Sequence, residues 1–224
     1  MIRAALILLL LWPAKAAAEC KLALVLALDI SASVDNAEYQ LQINGLADAI
    51  SDPQVIEAIL KPANEYIEVA VFEWSGYSQQ DLMIGWTRLD SPTAIANFAA
   101  LLRSHKRPNG YLATAVGKAV EFGGKLLRTA PTCKRRVLDV SGDGINNIGI
   151  GPEYFYGRGD LDGAVVNGLV IRGAEPDPLT YYLSTVIFGP GAFVVVAAGY
   201  PDYRRAMRKK LIREIQPKLI LGTK

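Results

Sequence analysis

The chain has 224 residues, of which 51% are hydrophobic, and it carries a formal net charge of +2. This composition is typical of an ordinary globular protein that is long enough for one sizeable core. The charge gives no indication of the basic surface that nucleic-acid binding requires, so we expect no nucleic-acid partner.

Residues 1–18 have the features of a secretory signal peptide: Arg3 near the start, an apolar stretch over residues 4–12, and an Ala-x-Ala ending. The apolar stretch is too short to span a bilayer. Cleavage would remove Arg3 and Lys15, which reduces the 24 basic residues to 22 and balances the 22 acidic ones. We therefore predict a periplasmic or secreted protein without a membrane span after cleavage, in which residues 19–224 form one domain.

The two cysteines are Cys20 and Cys133, and an exported chain meets an oxidising environment that favours a disulfide between them. Cys20 lies nine residues before Asp29, and Cys133 lies ten residues before Asp143. If both acids end adjacent parallel strands, both cysteines begin those strands at the same edge of the sheet. The alternative is a lipid anchor on Cys20, but Glu19 stands where lipoprotein signals need a small residue.

The first predicted elements are a buried strand and a helix. Residues 21–28 form a nearly unbroken apolar run, which is typical of a strand covered by helices on both faces. Residues 37–50 place apolar side chains at helical spacing, and either Asp35 or Asn36 is the expected N-cap. The chain therefore begins with one strand followed by one helix.

A hairpin comes next, because residues 65–74 alternate with period two and a turn at Gly76 leads to a partner strand at residues 81–86. Residues 148–162 are rich in glycine and lack periodicity, so we predict a long loop there with room for one helical turn. The remaining predicted elements are helices at 91–102, 113–127 and 201–215 and strands at 136–141, 164–171 and 192–198. This order predicts a doubly wound, mostly parallel α/β sheet.

Polar side chains follow the first strand at alternate positions, namely Asp29, Ser31 and Ser33. Side chains at this spacing can turn to one side as they leave a strand. Open α/β sheets bind ligands beyond the carboxyl ends of their strands, where Asp143 follows another strand and Thr114 precedes a helix. Five oxygen donors of this kind suit a hard cation such as Mg²⁺.

The spacing Asp29-x-Ser31-x-Ser33, followed by Thr114 in "ATAVGKAV" and Asp143 in "DVSGDG", resembles the metal-ion-dependent adhesion site of von Willebrand factor type A domains. The stretches "EWSG", "VSGDGINN" and "GPGAFVVVA" are similar to a bacterial family of exported type A domains with no assigned function.

The resemblance extends over about residues 21–215 and implies a three-layer, Rossmann-like fold. The implied sheet has the strand order 3-2-1-4-5-6, with the edge strand at residues 81–86 antiparallel. The glycine-rich stretch after Asn147 departs from the family pattern, because a helix before the fifth strand is lost or shortened there.

The same resemblance implies the roles of the five side chains. Ser31, Ser33 and Thr114 would contact a Mg ion, or Mn or Ca in its place, while Asp29 and Asp143 would act mainly through water. Neutral hydroxyl ligands leave much of the ion's charge uncancelled, so a carboxylate from a protein partner can complete the coordination. We therefore predict a non-enzymatic binding module that captures an acidic side chain of a partner.

Three other interpretations remain open at this point. A metal-dependent hydrolase also uses Asp and hydroxyl groups around Mg²⁺, but no general base is evident near the cluster. A structural envelope protein could carry a vestigial metal site. Asp29 and Ser31 could instead cap the following helix without binding a metal.

Four further polar residues have weaker signals. Glu73 ends the second strand and could accept a hydrogen bond from water at the metal, although ordinary strand-end placement explains it equally well. Asn146 and Asn147 follow Asp143 and could shape the rim of the site or form a turn. His105, the one histidine of the chain, is expected to be a solvated loop residue, and a single histidine cannot complete a catalytic triad or a His-rich metal centre.

Overall fold

The computed structural model describes residues 18–108 and 113–216, and six strands form one sheet in it. The strand order is β3-β2-β1-β4-β5-β6, with β2 and β3 antiparallel and every other pair parallel. The predicted fold class and strand order are therefore confirmed. The strands are β1 (Glu19–Asp29), β2 (Glu65–Trp74), β3 (Gln80–Leu89), β4 (Arg136–Gly142), β5 (Val165–Ile171) and β6 (Val194–Ala197).

Helices cover both faces of the sheet, as the apolar run in β1 predicts. Leu22, Leu24, Leu26 and Leu28 point into one hydrophobic layer, whereas Val25 and Ala27 point into the other. The helices are α1 (Asn36–Ile50), α2 (Pro53–Leu60), α3 (Pro92–Ser104), α4 (Val116–Arg128), α5 (Pro152–Gly157), α6 (Leu179–Tyr181) with a π-helical continuation (Tyr182–Val186), and α7 (Tyr203–Ile215). The first layer contains α1, α2, α3 and α7, and the second contains α4, α5 and the π-helical turn.

Two helical segments differ from the sequence prediction. Helix α2 was not anticipated, although Asp52 caps it and Pro53 occupies its first turn. The α6 and π-helical segment was also missed, because it is too short for a helical period to be visible. The glycine-rich stretch contains the short helix α5 within an otherwise irregular chain, which agrees with the prediction of a loop with one helical turn.

A disulfide joins Cys20 to Cys133 and so links the start of β1 to the segment that leads into β4, which is the predicted pairing. The predicted signal peptide lies outside the described residues except for Ala18, and its cleavage stays a prediction, as does the single-domain boundary. In the described ranges no helix is long and apolar enough to cross a bilayer.

Candidate metal centre

The carboxyl ends of β1 and β4 bring two aspartates together. Leu28 of β1 is in register with Ser141 of β4, so Asp29 and Asp143 leave neighbouring strands at the same edge of the sheet. The Asp29 side chain is fully buried, and Asp143 is 5% exposed. The site therefore lies where open α/β sheets commonly bind ligands.

The turn between β1 and α1 carries the two serines to these acids. The Asp29 Oδ1 atom accepts a hydrogen bond from the Ser31 N–H at 2.8 Å. The Ser31 and Ser33 hydroxyl oxygens are 3.2 Å apart, and the Ser33 hydroxyl donates to Asp143 Oδ1 at 2.7 Å. Asp35 fixes where the turn ends, because it forms a capping box at the start of α1.

Thr114 reaches the same edge from a third part of the chain. Its N–H donates to the Asn147 side chain at 2.8 Å, and its carbonyl accepts from the Asn147 N–H at 2.9 Å. Its hydroxyl oxygen lies 3.5 Å from the point where a Cβ on Gly144 would stand, directly beside Asp143. Asn146 also supports this region, since its side chain accepts from the Gly117 N–H at the start of α4.

The two asparagines therefore hold the Thr114 segment in place, and their predicted contribution to the rim stays a prediction. The five predicted ligands are brought to one edge of the sheet by three segments that are far apart in sequence.

Arg107 holds the turn that carries Ser31 and Ser33, and this role was not identified from the sequence. Its guanidinium donates to the carbonyl oxygens of Ile30 at 3.2 Å and Val34 at 2.6 Å, and it packs 5.5 Å from the centroid of the Tyr39 ring. An arginine in a polar, aperiodic segment carries no local signal for this role, because the contact joins residues more than 70 positions apart.

Glu73 lies beside the site but its carboxylate is already engaged. One oxygen accepts from the Tyr39 hydroxyl at 2.5 Å, and the other lies 3.1 Å from His105 Nε2. Its predicted interaction with water at the metal stays a prediction. His105 lies just after α3, as expected for a loop residue, but it is less solvated than expected, because its side chain is 29% exposed and contacts this buried carboxylate.

The charge at the site is unbalanced among the side chains described. Burial, and then the negative charge of Asp143, raises the pKa of Asp29 to about 7, although hydrogen bonds from Ser31 act in the opposite direction. The Asp29 Oδ2 atom is buried and accepts no hydrogen bond from the described residues. A cation would remove both penalties, and carboxylate and hydroxyl oxygens are the donors that Mg²⁺, Mn²⁺ and Ca²⁺ prefer. The residues present therefore fit a hard divalent ion.

Comparison with protein families finds one match over nearly the whole chain. The model of the family described as "Protein of unknown function (DUF1194)" matches residues 19–219. Comparison with curated proteins finds no match.

Several solved structures share the fold at low sequence identity. Proximal thread matrix protein 1 from the mussel byssus superposes with a TM-score of 0.64 at 14% identity, covering 89% of this chain and 47% of that one. A von Willebrand factor type A protein from Catenulispora acidiphila gives 0.59 at 14% identity, with 88% and 43% covered. The pilus adhesin SpaC from Lactobacillus rhamnosus GG gives 0.62 at 12% identity, with 87% and 30% covered.

This chain thus spans less than half the length of each of these three proteins. The match of the family model and the shared sheet topology lead to one assignment: the chain belongs to the family described as "Protein of unknown function (DUF1194)", and it has the von Willebrand factor type A fold.

Proposed function

We propose that this protein is an exported, non-enzymatic binding module that captures a protein partner through a divalent metal ion. The observation that carries the proposal is the convergence of hydroxyl and carboxylate oxygens at one sheet edge around a fully buried acid, Asp29. Within residues 18–108 and 113–216, no ion pair with a cationic side chain balances this acid. The ion would supply the missing positive charge and present it to a carboxylate of the partner.

The proposed ligands have distinct roles. Ser31, Ser33 and Thr114 contact the ion directly through neutral oxygens, whereas Asp29 and Asp143 hold it mainly through water. Of the two serines, Ser31 is buried and Ser33 is exposed, so the site is open to a partner on the Ser33 side. Because three of the five ligands are neutral, the ion keeps enough charge to attract an acidic side chain.

Two of the similar structures support this proposal. One structure of the mussel matrix protein is described as having a zinc-occupied MIDAS (metal-ion-dependent adhesion site) motif, and SpaC is described as a pilus adhesin. For the present chain we propose Mg²⁺, with Mn²⁺ or Ca²⁺ as alternatives, and a periplasmic or secreted location. In the proposed site both serines are ligands of the ion, which occupies the hydroxyls that a serine nucleophile would need and argues against a hydrolase of that kind.

The first experiment is a calorimetric titration of Mg²⁺ and Mn²⁺ into protein that has been stripped of metal with EDTA. We expect Asp29→Ala to lower the affinity by about a hundredfold or more, at the upper end of the loss typical for a group that orients a bound metal. The matched control is Asp48→Ala, which removes an exposed aspartate that pairs with Arg103. Equal metal binding by wild type and Asp29→Ala would contradict the proposed site.

The second experiment tests the partner chemistry with a defined probe. A short peptide with one central glutamate is titrated into the Mg²⁺-loaded, ¹⁵N-labelled protein, and the same peptide with glutamine in place of glutamate is the control. We expect chemical-shift changes at the Ser31 to Ser33 turn with the glutamate peptide only, and we expect EDTA to abolish them. Identical shifts with both peptides would contradict a metal-bridged carboxylate.

A further inference from the structure

Asp29 Oδ2, Tyr182 Oη and Tyr200 Oη are among the buried polar atoms near the candidate metal centre that lack a hydrogen-bond partner in the described part of the chain. A buried polar group without a partner costs free energy, so such groups are uncommon and call for a physical explanation. The tyrosines come from segments that the sequence did not connect with the site.

Tyr182 reaches the site through a slot made by two glycines on neighbouring strands. A Cβ on Gly168 of β5 would lie 2.7 Å from the Tyr182 ring, and a Cβ on Gly142 of β4 would lie 2.5 Å from its hydroxyl oxygen. Any larger residue at either position would collide with this tyrosine. The ring therefore lies across β5 and β4 and points its hydroxyl toward β1.

The Tyr182 hydroxyl and the unpaired oxygen of Asp29 both lie beside Gly142. The Cβ position on Gly142 lies 2.8 Å from Asp29 Oδ2 as well as 2.5 Å from the tyrosine oxygen. Because these two oxygens make no direct hydrogen bond, a water molecule between them could satisfy both.

Tyr200 approaches the same acids from the opposite face of the sheet. It belongs to the hydrophobic layer of α1 and α7, whereas Tyr182 belongs to the layer of α4. The Tyr200 hydroxyl makes no hydrogen bond of normal geometry, but it lies close enough to Asp143 to interact with it. Burial, and then the charges of Asp29 and Asp143, raises the pKa of Tyr182. A phenol is protonated at neutral pH, so both hydroxyls can donate hydrogen bonds.

We propose that Tyr182 and Tyr200 are positioning residues of the metal centre, which hold the Asp29 and Asp143 carboxylates through ordered water from opposite faces of the sheet. The inference rests on the proposed function, since it concerns the same acids. It assigns a role to two hydroxyls that would otherwise only destabilise the folded protein.

The test compares Mg²⁺ affinity, measured by calorimetry, in wild type, Tyr182→Phe, Tyr200→Phe and the double variant. Outer groups that orient metal ligands typically contribute a factor of about 10–100 in affinity, so we expect about a tenfold loss for each single variant. The matched control is Tyr203→Phe, which removes another buried hydroxyl whose nearest partner is Ser141 Oγ, and we expect its affinity to equal that of wild type.

Two further readouts separate positioning from ordinary structural support. Without metal, the double variant should unfold at the same temperature as wild type or at a higher one, because the lost hydroxyls make no direct hydrogen bond to the described part of the chain. Addition of Mg²⁺ should produce a tyrosine near-ultraviolet difference spectrum in wild type and in Tyr203→Phe, and a much weaker one in the double variant.

The outcomes distinguish the role assigned to the two tyrosines from the proposed metal-binding function on which it rests. Mg²⁺ binding by the double variant within twofold of wild type overturns the assignment of the tyrosines and leaves the metal site standing. A lower unfolding temperature of the metal-free double variant, with unchanged affinity, also overturns it in favour of structural support. Absence of Mg²⁺ and Mn²⁺ binding by wild type itself contradicts the proposed function, and the inference with it.

Discussion

Asp29 and Asp139 are both fully buried, lie on the neighbouring strands β1 and β4, and have pKa values raised to about 7 mainly by burial. Their surroundings differ. Asp139 forms an ion pair with Lys210 at 2.9 Å, and Lys210 also pairs with Glu214 one helical turn further along α7. Asp29 is surrounded by hydroxyls and by a second acid, Asp143, which adds to the rise in its pKa.

The comparison indicates how a buried acid can be recognised as structural or functional. The cluster of Asp139, Lys210 and Glu214 carries its own cation, and Asn167 donates a further hydrogen bond to Glu214 at 3.0 Å. It ties β4 and β5 to α7 through an internal lysine, while Asp139 Oδ1 and Glu214 Oε2 accept no hydrogen bond from the described residues. The cluster around Asp29 has no such internal cation among the described residues, and in the proposed site a bound ion supplies the positive charge.

The largest effect that we predict concerns the cluster of Asp139, Lys210 and Glu214. Lys210→Met should lower the free energy of unfolding by about 3–5 kcal/mol, because it leaves two buried carboxylates without their cation. Urea unfolding measures this loss. Lys209→Met is the matched control on the same helix, since Lys209 is exposed, and it should change little. A loss below about 1 kcal/mol for Lys210→Met would contradict the view that this lysine is the essential cation of the cluster.

The second prediction concerns pH. The pKa of Asp139 is raised from 3.8 to about 7, so the folded protein holds a proton that the unfolded chain releases at lower pH. The contribution of Asp139 to the free energy of unfolding should therefore be fully present below about pH 4, and up to about 4 kcal/mol of it should be lost as the pH rises to about 7. Asp139→Asn should flatten this part of the curve, whereas Asp48→Asn should not. A curve unchanged by Asp139→Asn would show that another group binds the proton.

The smallest predicted effect is the stabilisation of the folded protein by Mg²⁺, which we compare after the same substitution at Asp29 and at Asp139. Mg²⁺ at a hundredfold excess over its dissociation constant should raise the free energy of unfolding of wild type by about 2.7 kcal/mol. Asp139→Asn should keep this gain, and Asp29→Asn should lose it, as measured by thermal or urea unfolding with and without EDTA. Equal gains in both variants would mean that Asp29 does not help to hold the ion.

Much of the fold could be predicted because its signals are local. The apolar run of β1, the alternation of β2 and the turn at Gly76 can be found in short windows of sequence. The strand ends likewise identified Asp29 and Asp143, since a break from apolar to polar residues marks where a strand leaves the core. Helix α2 was missed even though its Asp52 cap and Pro53 are local signals.

Other parts could not be predicted, because they depend on contacts between distant segments. Lys210 and Glu214 look like ordinary surface charges of an amphipathic helix, yet both are buried against β4 and β5. Arg107 and Tyr182 carry no motif. Arg107 contacts Ile30 and Val34, more than 70 positions away, and Tyr182 contacts Gly142, which lies 40 positions earlier.

The sequence by itself determined most of the strands and helices and the polar side chains that follow β1 and β4, because hydrophobic periodicity and strand-end spacing are properties of short stretches. Only the tertiary structure decided which acid has an internal cation and which does not. It also decided that two tyrosines approach the unbalanced acids from opposite faces. Burial and the distance between charges fix the energy of a buried acid, and both exist only after remote segments have packed together.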